Sequence, residues 1–159
     1  MTIRRATVAD AAGIADVQTR TWRDAYPFID RDGLEEAIVG REERWREHMT
    51  KGSPTFVAET DGAIAGIMSA AACRDEDGAG LGELWMLYVA PEHQGRGLGR
   101  ALNAAAEDEL RRLGFSEAVV WVFEENGRGR AFYEHVGWTT DGGTQNDAWG
   151  TELRYRKRL

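Results

Sequence analysis

Residues 83–102 read ELWMLYVAPEHQGRGLGRAL. The first part, ELWMLYVA, is apolar at nearly every position. A strand apolar on both faces belongs in the middle of a sheet. Pro91 ends it, because proline cannot donate to a ladder. From Leu98 the spacing changes to that of a helix: Leu98, Leu102, Ala105, Ala106, Leu110 and Leu113 fall on one face. Glu107/Arg111 and Asp108/Arg112 form i,i+4 pairs on the other side, and Gly114 is a C′ residue. At the junction stand Gly95, Gly97 and Gly99. A strand, a glycine-rich turn and a helix make an anion site, since the first helical N–H groups lack intrahelical partners and the dipole adds positive charge. By itself, the alternation of glycines fits a plain turn equally well.

Outward from this stretch the chain alternates in the same way. EAVVWVFE (117–124) is a second buried strand, and strand–helix–strand makes a βαβ unit with parallel strands. Asn126 caps a short helix ending at Gly137. Residues 138–145 and 148–159 form a closing antiparallel pair. On the N-terminal side, residues 2–7 read as a strand, and Thr7 with Asp10 forms an acidic variant of the capping pattern. A helix then runs to about Tyr26, before Pro27. A second helix is expected over 32–49, its charged run REERWREH being a solvated face. TFVAET (55–60) and AIAGIMSAA (63–71) flank Asp61-Gly62, a hairpin signal. The expected order is β-α-α-β-β-β-α-β-α-β-β, an α/β fold with a mixed sheet, and 1–159 is expected to be a single domain.

Composition narrows the function. The 159 residues are 42% hydrophobic and 30% charged, as in ordinary globular domains. The formal net charge of −7 argues against nucleic-acid binding, which needs a basic footprint. No apolar run approaches the ~20 residues of a membrane span, so no membrane association is expected. The N-terminal residues carry no apolar segment, so a secretory leader is not expected. Cys73 is the only cysteine, which excludes an intrachain disulfide and fits a cytoplasmic protein. No Cys/His cluster has ligand spacing, so no metal is expected.

Three phosphate-binding patterns compete at the glycines. A nucleotide P-loop needs G-x-x-x-x-G-K followed by Ser or Thr, and no such pair is present. The dinucleotide fingerprint G-x-G-x-x-G fails at Arg100. The pattern Q/R-x-x-G-x-G/A is met in full by Gln94, Gly97 and Gly99, with Gly95 at a free position. Here the chain resembles the GCN5-related N-acetyltransferase (GNAT) family. ELWMLYVAPEHQGRGLGRAL is similar to the acetyl-CoA segment of that family, and VFEENGRGRAFYEHVGW (122–138) to its second core motif. TWRDAY (21–26) is also similar to many small bacterial members. The resemblance covers almost the whole chain.

That resemblance implies a GNAT-like acyl-CoA N-acyltransferase fold and acetyl-CoA as co-substrate. It places the pyrophosphate on the backbone of Gln94, Gly95, Arg96, Gly97, Leu98, Gly99 and Arg100, with the arginine side chains either near the phosphates or simply solvated. The pantetheine arm would pair with Leu87, Tyr88 and Val89 as an added strand. Asn126 and Phe132 would lie along the cofactor. Tyr133 matches the tyrosine that protonates the leaving thiolate; with a pKa of ~10 it can serve a thiol of ~8.5. Glu83 is the base candidate, acting through water, or else a charge at the strand edge. Trp22 and Tyr26, four apart on one helix face, either pack in the core or border the acceptor pocket.

The expected reaction is direct transfer to a primary amine, of a small molecule or alternatively of a peptide or protein. A CoA-binding module without catalysis is the rival class. Family members are commonly homodimers, and Trp138, Trp149 and Tyr155 on the final strands would offer an interface. Gly127 and Gly129 predict a mobile start to the Tyr133 helix.

Overall fold

The computed structural model describes residues 1–159. The elements are β1 (Thr2–Arg5), α1 (Ala11–Ala25), α2 (Arg31–Ile38), α3 (Arg41–Thr50), β2 (Thr55–Thr60), β3 (Ala63–Ala72) and β4 (Gly82–Val89). They continue with α4 (Leu98–Arg112), β5 (Glu117–Phe123), α5 (Gly127–His135), β6 (Thr139–Asp147) and β7 (Gly150–Arg158). Short 3-10 turns occupy Val8–Asp10 and Pro91–His93. The seven strands lie in the order β1-β2-β3-β4-β5-β7-β6. β4 and β5 are parallel, as a strand pair joined through α4 requires; β1-β2, β2-β3, β5-β7 and β6-β7 are antiparallel. The class and the strand order along the chain match the sequence reading.

One element differs. The helix expected over 32–49 is two helices, because Val39 is extended (ψ 128°) and Gly40 is left-handed (φ 70°). The apolar stripe could be read through this break, but the backbone conformation could not. Arginine donors meet the carbonyls exposed there: Arg41 Nη2 donates to the Ala37 carbonyl at 2.5 Å, and Arg44 Nη2 to that of Val39.

The chain divides into two compact units, Met1–Ser69 with Met86–Ala105 and Ala70–Trp85 with Ala106–Leu159. In the first, Ile14, Val17, Trp45, Val57 and Ile67 form a buried core. Two polar pairs are buried with it: Trp45 Nε1 donates to Gln18 Oε1 at 2.8 Å, and the hydroxyls of Thr55 and Ser69 meet at 2.6 Å. Gly66 lets α4 close onto the sheet, since a Cβ there would sit 2.7 Å from Leu102 Cδ1.

The second unit is centred on Val119, Leu110, Trp138 and Tyr155. Tyr155 is 0% exposed; its hydroxyl donates to Glu134 at 2.9 Å and accepts from Arg130 Nε at 3.2 Å. Trp138 is 1% exposed. Neither side chain is on a surface, so the core consumes these two of the three aromatics expected at an interface, while Trp149 is half-buried. No helix is long and apolar enough to cross a membrane.

Candidate functional site

The first unit carries the glycine loop. Gly95 and Gly97 have φ of 72° and 84°, and a Cβ added at either would meet nothing within 4 Å. An L-residue in this conformation costs about 1–2 kcal/mol. Gly95 stands at a free position of the motif, yet the turn favours glycine there as well. α4 starts immediately afterwards, at Leu98, which is buried and anchors it; Gly99 and Arg100 lie in its first turn. The first N–H groups of a helix lack intrahelical partners, and beside backbone without side chains such a start suits an anion. Arg96 and Arg100 are exposed beside them. Gln94 has a second role, because its Nε2 donates to the Val89 carbonyl at 3.1 Å and ties the loop to the strand end. Thr21 Oγ1 donates to the same carbonyl at 3.3 Å. Thr21 stands in the TWRDAY stretch, but nothing there signals this role.

The parallel ladder joins β4 to β5 only at Gly82–Ala118 and Glu83–Val119. Backbone groups alternate along a strand. Ala90 N–H bonds the Ala65 carbonyl at 2.9 Å, which puts Tyr88 on the β3 side as well. Leu87 and Val89 therefore face the other edge, where an extended amide chain can add as a strand.

Trp22 and Tyr26 are both buried, at 7% and 9% exposure. The structure brings Trp22 against Tyr88, edge to face, with ring centres 6.5 Å apart. Arg41 lies over the Trp22 ring at 4.7 Å. Tyr26 sits just past the end of α1, tilts onto Phe28 at 5.7 Å and lines a cavity of about 330 Å³ with Ile29 and Leu34.

The second unit carries Glu83, Asn126, Phe132 and Tyr133. Asn126 accepts the Gly129 N–H at 3.0 Å and so caps α5. A Cβ at Gly129 would lie 2.5 Å from Asn126 Nδ2, so this glycine makes room for the cap. Tyr133 is 8% exposed, packed edge-to-face on Phe132 at 5.2 Å and Trp138 at 6.2 Å. Of the two neighbours, Tyr133 is the deeper.

Glu83 is 2% exposed, which rules out a surface charge. Both of its oxygens are held by Arg74: Nη2 donates to Oε1 at 2.7 Å and the backbone N–H to Oε2 at 2.9 Å. The Arg74 guanidinium in turn lies 4.5 Å over the Trp85 ring. Glu152, paired with Phe123 across β5 and β7, is a residue the sequence did not single out. Burial pushes its carboxyl above the usual range, and the charges of Asp147 and Glu83 add to this, against a hydrogen bond from Gln145 and the charge of Arg74. One glutamate in TELRYRKR carries no signal of such a setting. Burial likewise pushes the Cys73 thiol up, which suits it poorly for nucleophilic attack. Cys73, Asp75 and Glu83 bring ligand atoms within 4.8 Å of one another, but donors from Arg74, Trp121 and Arg154 already meet the two carboxylates.

Comparison with known proteins follows the same lines. The model of the acetyltransferase (GNAT) family matches residues 15–138. The N-acetyltransferase YuaI of Bacillus subtilis is 36% identical over 129 residues, covering 79% of this chain and 73% of that protein. The L-methionine sulfoximine/L-methionine sulfone acetyltransferase of Salmonella typhimurium is 30% identical over 146 residues, 87% of this chain and 80% of that one. Among solved structures, the PaiA N-acetyltransferase of Thermoplasma acidophilum in complex with coenzyme A superposes with a TM-score of 0.84 at 20% identity, covering 99% and 98% of the two chains. The Salmonella typhimurium protein yncA, solved with acetyl-CoA, gives a TM-score of 0.72 at 25% identity, covering 100% and 94%.

Proposed function

Given that the chain belongs to the acetyltransferase (GNAT) family and is an N-acetyltransferase that uses acetyl-CoA, we propose that its acceptor is the primary amine of a small molecule and that transfer is direct. The observation that carries the cofactor half of this reading is the loop at Gln94–Gly97, with two left-handed glycines ahead of the α4 N-terminus. Support for the acceptor comes from a relative named for small amino-acid acceptors. Direct transfer is favoured because the thiol of Cys73 is held in its protonated form by burial.

Acetyl-CoA supplies the thioester carbonyl and departs as a thiol. The chain's own residues do the rest. Backbone N–H groups from Gly95 to Arg100 hold the pyrophosphate, the Gln94 N–H being taken by the Pro91 carbonyl at 3.3 Å, and Leu87 with the N–H side of Val89 aligns the pantetheine amides. Phe132 and Asn126 line the cofactor path. Tyr133 Oη gives its proton to the departing sulfur and recovers one from solvent. Glu83 takes the proton of the ammonium through water, so that the free amine attacks. An ordinary carboxylate is a weak base; burial pushes the carboxyl of the neighbouring Glu152 above the usual range.

The test is thiol release from acetyl-CoA with a panel of small amines and peptides. Tyr133→Phe should lower kcat about a hundredfold while the KM for acetyl-CoA stays within about twofold. Unchanged turnover would remove Tyr133 as the acid. Coenzyme A binding without turnover on any amine would favour a binding module.

A further inference from the structure

We propose that Arg41 recognises a carboxylate on the acceptor, which restricts the substrate to amino-acid-like amines. This inference rests on the reading of the acceptor as a small amine. Arg41 differs from three more exposed arginines of its unit. Arg4 pairs with Asp10 and Glu59, Arg20 with Asp16 and Glu92, and Arg23 with Glu35. Arg41 has no carboxylate. Its Nη2 donates to the Ala37 carbonyl, and its guanidinium covers the face of Trp22 at 4.7 Å. The Nε is shielded from solvent and has no acceptor.

An unmet buried donor costs on the order of 1–3 kcal/mol, more when it is charged. Burial and the charge of Arg44 both push the guanidinium below its usual range, as expected where a counter-charge is missing. Capping of α2 accounts for Nη2 alone. A planar cation lying on an indole, with donors left over and no counterion, is the arrangement that takes a carboxylate in two-point fashion. The surroundings fit a small amine: Trp22 packs on Tyr88, and Tyr88 lies on the strand whose open edge is assigned to the pantetheine. Gly40 is what places Arg41 here, because the left-handed turn starts α3 at this residue. In the sequence, Arg41 is merely the first charge of a solvated run.

The experiment measures acetylation of L-methionine sulfone and of 3-(methylsulfonyl)propan-1-amine, its analogue without the carboxylate, by wild type, Arg41→Gln and Arg41→Lys. The wild type should prefer the amino acid. Arg41→Gln should raise the KM for the amino acid at least tenfold, with kcat, the KM for the amine and the KM for acetyl-CoA little changed. Arg41→Lys, which keeps the charge but loses the fork, should fall between; if Arg41→Gln does not fold, this variant carries the test, with a rise of at least threefold. A wild type that accepts the amine as well as the amino acid, or a variant that keeps the preference, overturns the role of Arg41 and leaves the small-amine reading standing. A wild type that acetylates neither compound overturns both.

Discussion

Gly97 shows how much one residue can decide. Its φ of 84° puts any side chain at a cost of about 1–2 kcal/mol, although the space around it is open. Gly97→Ala should therefore fold, and should raise the KM for acetyl-CoA roughly tenfold by disturbing the loop's backbone; steady-state kinetics beside a thermal melt separate the two effects. The motif spacing made this glycine legible in the sequence. Glu152 was not legible, because its character comes from burial near Glu83 and Asp147, contributed by other segments. Its folded-state pKa is raised, so the native state binds this proton more tightly than the unfolded chain does. The stabilising contribution is present below the unfolded value and is lost as pH rises through the folded one. Glu152→Gln should accordingly match the wild type in stability near pH 4 and exceed it at pH 7, as denaturant titrations at the two pH values would reveal.

At the scale of elements, local rules held wherever the chain had only itself to satisfy. The Asp61-Gly62 hairpin turns with both residues at positive φ, and Asn126 caps α5. The Thr7/Asp10 cap forms too, with Asp10 Oδ2 accepting the Thr7 N–H at 2.7 Å. Tertiary structure then gave it more work: Arg4 donates to both Asp10 oxygens, at 2.8 and 2.9 Å. This guanidinium, helped by the Thr7 bonds, holds the carboxyl down at about 2. A depressed pKa stabilises the fold above the unfolded value of ~3.9 and ceases to do so as pH falls toward the folded one. Asp10→Asn should cost roughly 1–2 kcal/mol at pH 7, after allowance for the solvent at Arg4, and the difference should close between pH 4 and 2. Chemical denaturation across that range measures it. The break between α2 and α3 went unseen, since Leu34, Ile38, Trp45 and Met49 keep a plausible helical stripe across it. Periodicity records which residues are apolar and is blind to a single left-handed glycine.

Across the whole molecule, each unit has its own core, and the aromatics of the final strands belong to the second one. Trp138→Ala should lower the unfolding free energy by about 3–5 kcal/mol, since it opens a cavity where 1% of the side chain is now exposed. It should also depress kcat, because Trp138 backs the ring of Tyr133 at 6.2 Å; calorimetry and thiol-release assays on the same sample read both. The chain by itself determined the α/β alternation, the glycine loop at the start of α4, the buried strands and the family, because these depend on local conformation and on spacings along the backbone. Only the tertiary structure decided that Glu83 is buried and held by Arg74, that Trp138 and Tyr155 are interior, that Glu152 is pushed toward its neutral form, and that Arg41 lies on Trp22 without a counter-charge. Those properties arise from desolvation and from partners far apart in sequence, and a residue's name and position along the chain do not specify what surrounds it.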